Sequence, residues 1–185
     1  MMPNLSVCDY DICYHEAGHA IAIYLSGFQQ QDVDIIPQVL GNGDIILGSD
    51  YMDTGYLDYT GLDEDQIAVK RFQKAIKVVT IYLCGEVAER EYSHAVSKLS
   101  SFDIRMVGVI LEEEIVKDQR ERFLKKCHAI SIQLINDYWP AVVALAENLH
   151  EVKRIPAVVV KQIVEETIPP EVTAVTKHRY WLIDI

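Results

Sequence analysis

His15 and His19 stand either side of Glu16 in the stretch Tyr14-His15-Glu16-Ala17-Gly18-His19-Ala20. On a helix, side chains four positions apart lie one above the other, so this spacing offers two imidazole nitrogens to one metal ion. The carboxylate of Glu16 follows the first imidazole directly. There it can take a proton from a water held at an open coordination position during attack on a carbonyl. That is the equipment for metal-assisted hydrolysis, and a peptide bond is the substrate it suits. The alternative is a histidine pair satisfied in the core without a ligand. It would leave several buried polar groups to be partnered.

A catalytic zinc needs a third protein ligand. A further His a short fixed distance after the second, as some zinc proteases have, is missing, because Leu25 stands there. Glu86, Glu89 and Asp103 are the candidates, each acidic and set in helical pattern among small or apolar neighbours. The run Glu112-Glu113-Glu114 reads instead as a solvated helix face.

The elements that must position these residues follow from periodicity and punctuation. A first helix is expected from about Asp9 to Ser26, stopped by Gly27. Two short apolar runs, Val33 to Pro37 and Asp44 to Gly48, are separated by Gly41-Asn42-Gly43, which predicts a small β-hairpin. The polar stretch from Ser49 to Leu62 reads as a loop bordering a cleft. A long helix capped by Asp63 is expected to run to about Tyr92. After a break, Ser100 or Ser101 caps a helix with Asp103 in its first turn, where exposed amides favour a carboxylate. Phe123, Cys127, Ile130, Leu134 and Tyr138 form an apolar stripe on the next helix, and Pro140 and Pro156 open two more. The fold expected is mainly α, with a small β-hairpin or sheet after the His-Glu-x-x-His helix. One domain over 1–170 is followed by a tail, 171–185, of unassigned role.

Four stretches together resemble the peptidase domain of the FtsH-type zinc proteases. They are Tyr14 to Ala20, Val33-Asp34-Ile35-Ile36-Pro37, Tyr82-Leu83-Cys84-Gly85-Glu86-Val87-Ala88-Glu89-Arg90-Glu91, and Ser100-Ser101-Phe102-Asp103-Ile104. The family is similar in a strand ending Ile-Ile-Pro, a Leu-Gly-Gly-Arg-x-Ala-Glu-Glu helix and a Gly-Ala-x-Asn-Asp-Leu segment. Order and spacing agree over about residues 10–168. The chain departs from the pattern at Glu86 and at Phe102, where the family usually has Asn. The resemblance implies a helical zincin-type metalloprotease fold, Zn2+ held by His15, His19 and Asp103, and Glu16 as the catalytic base. It also implies an exposed strand of the 33–48 hairpin that pairs with an extended peptide or unfolded protein substrate. The family's ATPase module and membrane anchor are not expected here, since no Walker A pattern occurs and few residues precede the motif. Any ATP-driven unfolding would come from a separate unfoldase.

Composition limits the remaining choices. Half of the 185 residues are apolar and the formal net charge is −11, which argues against nucleic-acid or anionic-membrane partners. No apolar run has the length of a membrane span. Cys8, Cys13, Cys84 and Cys127 form no Cys-x-x-Cys pair and read as reduced thiols of a cytoplasmic protein. Besides a zinc metalloendopeptidase acting on unfolded chains, two readings stand. One is a non-catalytic scaffold binding peptides or partner subunits; the other is a regulatory protease dedicated to one partner. A homo-oligomer through the apolar tail is a further expectation.

Overall fold

A computed structural model describes residues 10–35, 38–39, 45–46, 59–94, 101–169 and 180–181. Among the described residues the chain is a mainly α-helical domain. Its six helices are α1 (Tyr10–Ser26), α2 (Glu64–Ser93), α3 (Ser101–Glu114), α4 (Arg120–Asp137), α5 (Trp139–Val152) and α6 (Ala157–Thr167). Four two-residue strands accompany them: β1 (Val33–Asp34), β2 (Gln38–Val39), β3 (Ile45–Ile46) and β4 (Arg154–Ile155).

Helix α1 is the buried centre. Ala17, Ile21 and Ala22 are fully enclosed, and Gly27, at φ +76°, ends the helix in the left-handed region where a glycine costs least. Helix α2 packs along it. At Gly18 an added Cβ would lie 2.4 Å from the carbonyl oxygen of Cys84 and 2.8 Å from Ala88 Cβ, so the absence of a side chain lets the two backbones touch. Helix α2 begins in a capping box: Asp63 accepts from the Gln66 amide at 2.8 Å, and Gln66 accepts from the Asp63 amide at 3.1 Å. Its first turns are exposed and its second half, from Ala75 to Ala88, is core. That change of environment explains how one helix of 30 residues can be polar at one end and apolar at the other.

Helix α4 lies along α2 on another side. Phe123 meets Phe72 edge-on, and the Ser131 hydroxyl donates to the Thr80 carbonyl at 3.1 Å. The expected α4 stripe is core at Phe123, Cys127, Leu134 and Tyr138, with Ile130 half-buried. At Tyr138 the backbone leaves helical angles and α5 starts with Pro140 in its first turn, so α4 and α5 meet at a bend of 78°. Pro156 caps α6 as expected. No single helix among the described residues is long and apolar enough to cross a membrane. Cys13, Cys84 and Cys127 are buried free thiols, and burial pushes those of Cys84 and Cys127 up to about 12.

The β structure differs from the expected single hairpin. Val33 and Asp34 do not pair with the 44–48 run; they pair antiparallel with Arg154 and Ile155, some 120 positions later. The hairpin is instead the shorter one between Gln38–Val39 and Ile45–Ile46. Its central Gly41-Asn42-Gly43 and Pro37 lie outside the described residues, as does most of the expected 49–62 loop. The β1–β4 ladder is reinforced by Asp32, whose carboxylate accepts from Arg154 at 2.9 Å and from the amide of Ala157 at 3.0 Å. In the tail, Trp181 donates its indole N–H to the Leu25 carbonyl at 3.0 Å, and buried Tyr180 donates to Asp137. These two aromatics therefore pack on the domain that precedes them.

Candidate metal centre

Three helices meet at one point. Helix α1 contributes His15 and His19, α2 passes with Gly85 against them, and the first turn of α3 brings Asp103. The two imidazole Nε2 atoms are 3.0 Å apart. Asp103 Oδ2 is 3.1 Å from that of His15 and 3.7 Å from that of His19. Bonds of about 2.0–2.1 Å to a tetrahedral zinc would set its donor atoms roughly 3.3 Å apart. The three separations bracket that value, so the residues fit the ion.

The outer nitrogens decide the tautomers. His19 Nδ1 donates to the Ile81 carbonyl at 2.8 Å, an oxygen that can only accept. His15 Nδ1 lies 3.2 Å from Glu89 Oε2 and donates to it. With both outer nitrogens carrying hydrogen, each neutral ring turns a lone pair at Nε2 toward the common point. The side chains of His15 and His19 are only 12% and 15% exposed, and that of Asp103 is 4% exposed. This is a largely dry pocket, which suits ligand bonds and penalises an unshared charge.

Without a metal, two lone pairs 3.0 Å apart would repel, so the cluster must hold a proton. Burial alone would lower the basicity of His15, but its bonds to Asp103 and Glu89 and the charge of Glu16 outweigh that and raise its pKa to about 10. His19 is raised as well, the Asp103 charge overcoming its burial. For Asp103, burial is overcome by the two imidazoles, which hold its carboxyl well below the usual carboxylate range.

A pH dependence follows. A His pKa raised from 6.5 to about 10 stabilises the metal-free fold fully below 6.5 and progressively less as pH climbs toward about 10. Zinc must displace that proton, so its affinity should rise across the same interval. Melting temperatures taken from about pH 6 to 10 should therefore fall in chelator and diverge upward from that curve with zinc present. Parallel curves would contradict the proton-for-metal exchange.

Of the three candidate third ligands, Asp103 joins the imidazoles. Glu89 instead backs His15 from behind, and Glu86 turns away on α2 to within 4.0 Å of Arg90. Sequence reasoning had no signal for Glu89 as the outer partner or for the Ile81 carbonyl. Helical spacing from Gly85 to Glu89 becomes informative only once Gly85 is known to face the rings. Glu16 is 5% exposed, and its charge acts on both imidazoles. His94 ends α2 in a left-handed conformation, φ 52°, and takes no part in the three-residue cluster; His150 stacks on Tyr10. Replacing Glu89 by Gln keeps the shape but weakens the acceptor, so zinc affinity should drop about 10- to 100-fold, readable by competition with a chromophoric chelator. No protein-family model matches this chain, and no curated protein does.

Proposed function

We propose that this chain is a zinc-dependent metalloendopeptidase, similar to the peptidase domain of the FtsH-type zinc proteases in a helical zincin-type fold. It cleaves unfolded proteins or peptides without ATP. The observation that supports this most is the convergence of His15 Nε2, His19 Nε2 and Asp103 Oδ2 within 3.0–3.7 Å, with both outer nitrogens pinned. A structural histidine pair has no need of two inward lone pairs, a shared carboxylate and an adjacent buried acid.

Zinc, when bound, supplies a Lewis acid that makes a water acidic near neutral pH and polarises the scissile carbonyl. The chain supplies the rest. Asp103 brings one negative charge, and the Ile81 carbonyl and Glu89 stop the two rings from rotating out of register. Glu16, one residue past the first ligand, accepts the water proton and returns it to the leaving amine. The low exposure of the cluster keeps competing water out.

The test is proteolysis of casein by the zinc-loaded protein, then by the chelated protein, then after zinc is restored. Cleavage that disappears and returns with zinc is the expected result. If zinc raises the melting temperature but no cleavage occurs at any loading, the scaffold reading replaces this one.

A further inference from the structure

Helices α3 and α4 both lie on α2 and scarcely touch each other. Helix α3 runs antiparallel to α2, since Phe102 meets Tyr82 while Glu114 reaches Arg71. Helix α4 runs parallel to it: Phe123 meets Phe72, and Ser131 bonds to Thr80. Between α3 and α4 a groove of about 580 Å³ remains, with Leu83 of α2 at its base, Val107 and Leu111 on one wall and Leu124 on the other. Glu86, which also lines it, lies about 100° around α2 from Gly85, so the groove is turned away from the imidazoles.

The groove is apolar along its middle and charged at its two ends. Ile104 stands 55% exposed on its rim. A Cβ added at Gly108 would meet nothing within 4 Å, so the α3 wall is bare there and another backbone can come close. Glu86 occupies one end, while Lys125 and His128 line the other. Cys127, beside His128, reaches toward the Ile76 carbonyl, about ten residues or 15 Å along α2 from Glu86. Lys125 is otherwise held only in an exposed pair with Glu121, and Glu86 stands 4.0 Å from Arg90, so both charges can turn to a ligand at little cost.

We propose that this groove docks an amphipathic helix of a partner protein, about three turns long, with its N-terminus at Glu86 and its C-terminus at Lys125 and His128. All the walls are helices whose backbone groups bond internally. An extended chain would find no main-chain partners there, whereas a helix satisfies its own. The charges set the direction, because a helix is positive at its N-terminus and negative at its C-terminus, the reverse of the groove ends. An acyl chain would answer only one of those ends. The docked helix would run in the direction of α3, its apolar face on Leu83, Val107, Leu111 and Leu124 and its backbone nearest the wall at Gly108.

The test uses zinc-loaded Glu16→Gln protein, so that a peptide stays intact whether or not the peptidase reading holds. Two labelled peptides of about 14 residues are built from the same Leu, Ala and Gln content, one with Leu at three-to-four spacing and one scrambled. The striped peptide should bind about tenfold or more tighter by fluorescence anisotropy and gain helix by circular dichroism. Gly108→Leu puts a side chain into the open groove. It should weaken that binding about tenfold or more, with zinc stoichiometric and the melting temperature no lower. Ile104→Glu, at an exposed position, should weaken it as well. Lys125→Glu should weaken it about two- to fivefold at low salt and less as salt rises. Equal binding of the two peptides, or binding that survives both Gly108→Leu and Ile104→Glu, overturns the proposal. Two further results would overturn it by naming another occupant. One is laurate bound in a Gly108→Leu-sensitive way while the striped peptide is not. The other is self-association in sedimentation that Gly108→Leu abolishes, which would make the occupant a second copy of this chain.

Discussion

A Glu16→Gln variant should bind zinc and melt like the wild-type protein, yet hydrolyse casein roughly 10²- to 10⁴-fold more slowly, the usual contribution of a positioned general base. Glutamine matches glutamate in shape and still offers an oxygen and hydrogens, so the buried position beside His15 stays filled. What it lacks is a basic carboxylate to accept the water proton. The two imidazoles keep their own partners, Ile81 and Glu89, which leaves the metal set intact. Retention of most of the cleavage rate would show that the proton goes elsewhere, and the mechanism above would have to be abandoned even with zinc in place.

Gly85→Ala should separate folding from metal binding in the opposite way. Alanine is the better helix former by about 1 kcal/mol, and α2 is regular at this position. The new Cβ, however, would lie 2.5 Å from His19 Nε2, 2.6 Å from its Cε1 and 2.8 Å from His15 Nε2. Backbone in a packed helix pair does not yield at those distances; ring ends do. The imidazoles would swing out of register and spoil the donor set. Zinc affinity should therefore fall by more than the roughly 10- to 100-fold that loss of an outer partner costs. The chelated protein should still fold, melting lower than the chelated wild type by what the displaced imidazoles lose with Ile81, Glu89 and Asp103, partly offset by the better helix propensity. Zinc titration followed by calorimetry and thermal melts on the same samples would decide it. A wild-type zinc affinity in this variant would mean that the rings do not meet the ion where their Nε2 atoms now point.

The Gly18 contact shows the same economy of space with a different outcome. There the obstructing atom is the Cys84 carbonyl oxygen at 2.4 Å, backbone that cannot rotate aside. The two glycines thus serve unlike purposes: Gly18 lets α1 and α2 approach, and Gly85 leaves room for the imidazoles.

Much of this was legible beforehand because it is local. The His15–His19 spacing, the Asp63 cap, the Gly27 stop and the proline-opened helices α5 and α6 each depend on a few neighbouring residues, and each stands in the structure as read. The β-pairing was misread for the converse reason. Asn42-Gly43 is a strong local signal, and it drew Val33–Pro37 into a hairpin. Nothing near Val33 announces that Ile155 will lie opposite it, since a two-residue ladder leaves almost no pattern in sequence.

The amino-acid sequence by itself determined that two imidazoles and a neighbouring carboxylate would project from one helix, because a period of about 3.6 residues leaves them no other arrangement. Tertiary structure alone decided which distant acid completes the set. Asp103, Glu89 and Glu86 are alike in chemistry and all lie on helices. They differ in the direction each helix face is turned once α2 and α3 are packed against α1: Asp103 inward beside the Nε2 atoms, Glu89 behind His15, and Glu86 toward Arg90.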